Sequence, residues 1–184
     1  MTPAIATAVP TGTWNVDPAH SSCEFQVKHL GIATVKGHFT AFEGVLEIGA
    51  DGIPTKAYGS VQVDSVDTRE EQRDAHLRSP DFFDADNHPQ LTFAATAIEP
   101  VDEETFKVTG DMTIHGVTQQ VTLDAELQGV EQDPWGNERV AVEITGQIKR
   151  SDFGMTFNQA LGSGNMLVSD KVKINLDISA VKAA

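Results

Sequence analysis

The chain has 184 residues, of which 40% are hydrophobic and 22% charged, and 27 acidic side chains against 13 basic ones leave a net charge of -14. That composition suits one globular domain and excludes wholesale disorder, while the acidic balance repels phosphate backbones and argues against nucleic acid as a partner. No run of about 18 apolar residues is present to cross a membrane as a helix, and the lone Cys23 excludes an intramolecular disulfide or a thiolate metal cluster.

Residues 1–12 contain Pro3 and Pro10 and show neither a basic start nor a sustained apolar run. They read as a flexible tail, not a signal peptide, which points to the cytoplasm and leaves residues 13–184 as a single domain. A short strand is expected around Trp14 and Val16. "CEFQVKH" then alternates Cys23, Phe25 and Val27 against polar neighbours, "TAFEGVLEI" puts Phe42, Leu46 and Ile48 on one face, and "YGSVQVDSV" does so with Val61 and Val63.

The alternation stops at "DTREEQRDAHLRSPDFF", residues 67–83, where a helical insertion over about 68–84 is expected. Thr68 and Glu71 have capping-box spacing, and Ser79 before Pro80 predicts a second short helix. On a helical wheel Arg69, Arg73 and His76 share a face. That stripe is either a solvated face paired with Glu70, Glu71 and Asp74, or a rim offering Arg73, His76 and Arg78 to an anionic head group. Phe82 and Phe83, with Leu77, are either a plug that fills one end of the fold or a lid over an apolar space. Each ring is worth roughly 1.5–3 kcal/mol when buried, so neither belongs in water.

Period-2 strands resume with "QLTFAATAI" (Leu91, Phe93, Ala95, Ala97), "FKVTGDMTI" (Phe106, Val108, Gly110, Met112, Ile114), "VTLDAEL" (Val121, Leu123, Ala125, Leu127) and "VAVEITGQI" (Val140, Val142, Ile144, Ile148). Turn signals at 114–119 and 133–137 join neighbours as hairpins. Residues 151–170 are irregular and carry Phe153, Met155, Phe157, Leu161 and Met166 among glycines, which suits either an adaptable apolar surface or the core of a bent strand. "VKINLDI" closes the chain with Val172, Ile174, Leu176 and Ile178 inward.

Eight or nine long antiparallel strands, each with one apolar face, favour an all-β barrel of about eight strands over a sandwich. Small inward residues such as Gly110, Gly146, Ala95, Ala97 and Ala125 either interdigitate with the aromatics or leave a cavity, and the pattern alone leaves both open. The six histidines show no metal-ligand spacing, and no nucleophile elbow, phosphate loop or dinucleotide fingerprint is present. No catalytic residue, metal or cofactor is therefore assigned.

"DPAHSSCEFQVKHLGIATVKGHF" (17–39), "EEQRDAHLRSPDFFDADNHPQLTF" (70–93), "KVTGDMTIHGVTQQVTLD" (107–124), "DPWGNERVAVEITGQIKRSDFGMTFN" (133–158) and "VSDKVKINLDISAVK" (168–182) resemble, in this order, the YceI-like family of polyisoprenoid-binding proteins. The resemblance implies an elongated lipocalin-like antiparallel barrel whose tunnel holds a long isoprenoid or isoprenoid-quinone tail. Many relatives are exported to the periplasm, and this sequence departs from them in its start.

On that reading the tunnel-lining candidates are Phe25, Val27, Phe42, Leu46, Leu77, Phe82, Phe83, Phe93, Met112, Ile114, Phe153, Met155, Phe157, Leu161 and Met166, with Arg73, His76 and Arg78 for a polar head. The expected role is storage, transport or chaperoning of the lipid, ahead of an enzyme acting on an apolar substrate and of a filled interaction module. A homodimer through strand or mouth surfaces is compatible with the sequence, which does not select it over a monomer.

Overall fold

A computed structural model describes residues 9–164 and 166–184 of the chain. Eleven strands follow in order: β1 (Gly12–Val16), β2 (Ser22–His29), β3 (Ala33–Phe39), β4 (Phe42–Ile48), β5 (Pro54–Gln62), β6 (Val66–Asp67), β7 (Gln90–Pro100), β8 (Thr105–Ile114), β9 (Val117–Gln132), β10 (Glu138–Lys149) and β11 (Val168–Lys182). Among the described residues a single α-helix, α1 (Glu71–Arg78), lies between β6 and β7.

All the pairings are antiparallel, and they close an eight-stranded barrel through β1, β4, β5, β7, β8, β9, β10 and β11, the last returning to β1. The 15 residues of β11 make this possible. Its end pairs with β1 (Trp14 opposite Lys182), and its earlier part pairs with β2 (Leu176 opposite Cys23), so β1 and β2 lie end to end along one strand. At the far end β3 joins the circuit by meeting β6, the continuation of β5.

Inward alternation holds along β8, where Phe106, Val108, Met112 and Ile114 are buried while Lys107 and Asp111 are exposed. Along β7 it breaks. A bulge at Thr96 sets Ala95 opposite Gly110 but Ala97 opposite Thr109, so the extra residue turns Ile98 inward and Ala97 outward, against the simple period-2 expectation.

Strand β3 is absent from the sequence reading because its central inward position is Gly37. A Cβ there would sit 2.3 Å from Phe25 Cζ, so the ring of the neighbouring strand occupies the missing side chain's place. Gly110 does the same for Phe93, whose Cζ would lie 2.6 Å from an added Cβ. These glycines thus seat neighbouring rings and do not themselves open space.

Of the residues 1–12 read as a tail, residues 1–8 lie outside the described residues, whereas Val9 is buried against Trp14, Ile48, Leu127, Val140 and Ala180. The Pro10 carbonyl accepts from Trp14 Nε1 at 3.1 Å, and Thr11 Oγ1 donates to the Gly49 carbonyl. Trp14, at 0% exposure, is the centre of this plug at one end of the barrel.

Around the same end, Arg139 at the start of β10 donates to Asp17 Oδ2 and Asp133 Oδ2, both at 2.9 Å, tying the β9–β10 turn to the β1–β2 junction. The Arg139 hydrogen bond, helped by His20, holds the Asp17 carboxyl down at about 2. A carboxyl depressed on folding contributes stability that is present above its ordinary value near 4 and lost as pH falls toward 2. Asp17→Asn is accordingly expected to cost up to about 1 kcal/mol at pH 7, the range of solvent-screened pairs, and to shrink that cost between pH 4 and 2. Urea titrations at a series of pH values measure it.

Candidate functional site

Inward side chains of all eight barrel strands surround one elongated cavity of about 320 Å³. It runs from the Trp14 plug, where Ile48, Leu127, Val140 and Ala180 border it, to a cap made by Leu77, Phe82, Phe83 and Met155. On β10 the lining extends from Val140 to Ile148, roughly 27 Å of strand and about 20 Å along a barrel axis once tilt is allowed for. An apolar cavity of about 150 Å³ already stays dry and admits a benzene-sized guest. The choice between filled core and cavity is thus decided for a cavity.

Eleven of the apolar candidates border this bore: Phe25, Val27, Phe42, Leu46, Leu77, Phe82, Phe83, Phe93, Met112, Ile114 and Met155. Four do not. Phe153 is buried beside the bore, packed with Met112, Ile114 and Met155. Phe157 lies on the outer side of the cap, its ring 5.4 Å from Phe82 and 5.0 Å from His76.

Leu161 and Met166 belong to a loop outside the wall, closed by the Ala160–Met166 bridge, and Met166 is 45% exposed in a surface groove with Lys28 and Asp170. The loop folds back because Asn158 both donates to the Val168 carbonyl (2.6 Å) and accepts from the Val168 N–H (3.0 Å). No local periodicity announces that pairing.

The cap differs from its predicted chemistry. Glu70, not Thr68, caps α1, its carboxylate accepting from the N–H groups of Gln72 and Arg73 at 3.2 and 2.6 Å. Thr68 is buried instead and donates to Asp74 Oδ1 through both N–H and hydroxyl. Residues 79–83 form turns and not a second helix: the Phe82 N–H reaches the Ser79 carbonyl and the Phe83 N–H that of Leu77. These bonds swing Phe83 inward between two parts of the core, 5.8 Å from Phe39.

The basic stripe does not assemble. Arg69 precedes the helix with φ of +67°. Arg73 is committed to Thr68, with Nε 2.8 Å from its hydroxyl and Nη2 2.6 Å from its carbonyl. His76 Nε2 lies 2.9 Å from Asp81 Oδ2 while its ring meets Phe82 and Phe157. Arg78 is half-buried, and its carbonyl accepts from the Ala85 N–H.

Arg150, which the sequence reading passes over, is the cation at the cap end of the bore. It is 5% exposed. Its guanidinium donates to the carbonyls of Met155 and Phe157 (2.8 Å each), Ser169 (2.9 Å) and Val168 (3.2 Å), and lies 5.9 Å from the centre of the Phe82 ring. Burial lowers its pKa, against the attraction of Asp170. The only hint in sequence is a basic residue where β10 ends and the irregular segment begins.

Elsewhere the strand pairing of the wall is interrupted at one seam. Strand β1 ends its pairing with β4 at Val45, so Phe42–Gly44 are paired with β5 alone, while Glu24 and Glu43 are exposed there and Ser60 Oγ donates to Glu43 Oε1 on the outer face. Cys23 borders the cavity, and burial pushes its thiol up to about 12. At neutral pH it is a packing group with almost no thiolate, not a nucleophile.

Comparison with known proteins agrees with this architecture. A UPF0312 protein of Staphylococcus aureus (strain MSSA476) is 40% identical over 159 residues, covering 85% of this chain and 90% of that protein. Among solved structures, Burkholderia cenocepacia BcnA superposes with a TM-score of 0.76 at 25% identity over 89% of this chain and 98% of its own. A Campylobacter jejuni YCEI protein gives 0.75 at 34% identity over 85% and 90%. A polyisoprenoid-binding domain from Saccharophagus degradans shares the fold, with a TM-score of 0.71 at 16% identity over 92% and 98%. The profile of the YceI-like domain matches residues 14–180, nearly the whole of the closed barrel with its cap, and the chain belongs to the YceI-like domain family.

Proposed function

We propose that this protein binds a long isoprenoid tail, as a polyprenyl compound or an isoprenoid quinone, inside the barrel, for storage, transport or chaperoning. The observation that carries the reading is the continuous apolar bore between the Trp14 plug and the Phe82–Phe83 cap. An isoprene unit needs no directional partner. At about 0.8 kcal/mol per buried CH₂ each unit contributes roughly 3–4 kcal/mol before the cost of ordering the tail.

Affinity should therefore climb with each added unit and level off once the bore is full, so that length and shape are selected. The similarity in fold to a domain described as polyisoprenoid-binding supports the tail.

Native mass spectrometry against a length series of quinones and polyprenyl phosphates tests the reading. One tail per chain, tighter with length, is the expected result. A chain that stays at its bare mass throughout sinks it.

A further inference from the structure

Beside the cap, Asp84, His88 and His115 each offer a ligand atom, and these atoms lie within 4.8 Å of one another on partly buried side chains. We propose that these three residues form a binding site for a divalent transition metal of the Zn²⁺ class. Two imidazoles and one carboxylate are a borderline nitrogen and oxygen set, which suits Zn²⁺ and its first-row neighbours and not Mg²⁺ or Ca²⁺.

The geometry goes beyond proximity. His115 Nδ1 lies 3.2 Å from the Phe153 carbonyl oxygen. A carbonyl only accepts, so Nδ1 carries the proton and Nε2 keeps its lone pair, the tautomer that a metal-bound histidine shows when its other nitrogen is held by a carbonyl. Asn87 Nδ2 donates to both oxygens of Asp84 (3.2 and 2.9 Å), orienting the carboxylate.

The rings of His88 and His115 meet at 5.2 Å. His88 can approach only because residue 116 is glycine, at φ of +72°: a Cβ there would stand 2.6 Å from His88 Cε1. Tetrahedral Zn²⁺ with bonds of about 2.0–2.1 Å needs ligand atoms roughly 3.3 Å apart, so side-chain rotations of about an ångström complete the triad and leave the fourth position to water.

The placement gives such an ion a consequence. Asp84 directly follows Phe83, and the His88 N–H bonds the Asp84 carbonyl (2.8 Å), so both belong to the cap segment. His115 sits in the β8–β9 turn, next to the bore-lining Ile114. A bound ion would staple the cap to the barrel wall. The sequence shows no such site because its ligands come from a turn, four residues apart, and from a hairpin 27 residues further on.

The proposal concerns the cap and needs no lipid, so it is tested apart from the tail-binding reading. Chelator-stripped full-length protein is titrated with ZnCl₂ by competition against a chromophoric chelator, and with CoCl₂ for the visible bands of a tetrahedral ion. Expected are one Zn²⁺ per chain and tetrahedral Co²⁺ bands in the parent and in the control His20→Ala. Zn²⁺ affinity should fall at least tenfold in His88→Gln, His115→Gln and Asp84→Asn, with folding checked by circular dichroism. At a hundredfold excess over Kd the ion should raise Tm of the parent by about 5–10 °C and leave the variants unmoved. Absence of Zn²⁺ binding, or binding unchanged in the folded variants, overturns the site, as does Co²⁺ without tetrahedral bands.

Discussion

Tryptophan at Ile144 or Leu176 is expected to abolish tail binding while leaving the barrel folded. The two residues face each other across β10 and β11 in the middle of the bore. Both are only half-buried although they point inward, because their outer atoms border empty lumen and not packed neighbours. In a filled core a larger side chain costs about 1–3 kcal/mol through forced rotamers and backbone shifts. Here the ring has space to enter and apolar walls to touch, so Tm should hold within a few degrees or rise.

The same ring occupies the path a tail must follow. Affinity for a polyprenyl alcohol, measured by displacement of a fluorescent probe, should drop at least tenfold in each variant. Intact affinity in a folded Ile144→Trp protein would place the tail outside the bore.

Loss of the Arg150 side chain should produce the largest stability defect of any single surface-to-core polar change. Four carbonyls from two segments of the chain converge on its guanidinium. Arg150→Ala strands them at a site that is 5% exposed. Leaving buried carbonyls without a donor costs about 1–3 kcal/mol, or roughly 2–12 °C in Tm for a chain of this size.

Arg150→Lys keeps the charge but cannot reproduce a planar fork spread over four acceptors, so it should recover less than half of the loss. Chemical denaturation of the three proteins decides the matter. A cost below 1 kcal/mol for the alanine variant would show that water replaces the guanidinium and that the loop does not depend on it. Because Arg150 also faces the Phe82 ring, the alanine variant should loosen the cap, visible as faster amide exchange in residues 79–88.

Period-2 alternation made most of the walls readable from the residues alone. Phe106, Val108, Met112 and Ile114 in β8, and Val140, Val142, Ile144 and Ile148 in β10, face inward as their spacing requires. Alternation is a property of adjacent residues and survives any tertiary arrangement that buries one face. The same logic explains its failures. It assigned Ala97 to the interior because a bulge at Thr96 is visible only in the pairing with β8. It passed over β3 because Gly37 yields its place to Phe25 from the neighbouring strand.

By itself, then, the sequence determined the strand-rich single barrel, the inward faces, the apolar insertion at Leu77, Phe82 and Phe83, and the family resemblance. Tertiary structure alone decided that the interior is hollow, since the same inward residues fill a core or line a bore according to how far apart closure holds the walls. It likewise decided that Arg73 serves Thr68 and not the rim, that Arg150 gathers four carbonyls, and that residues 84, 88 and 115 meet. Each of these contacts joins groups whose separation along the chain carries no periodic signal, so only the closed fold brings them within reach.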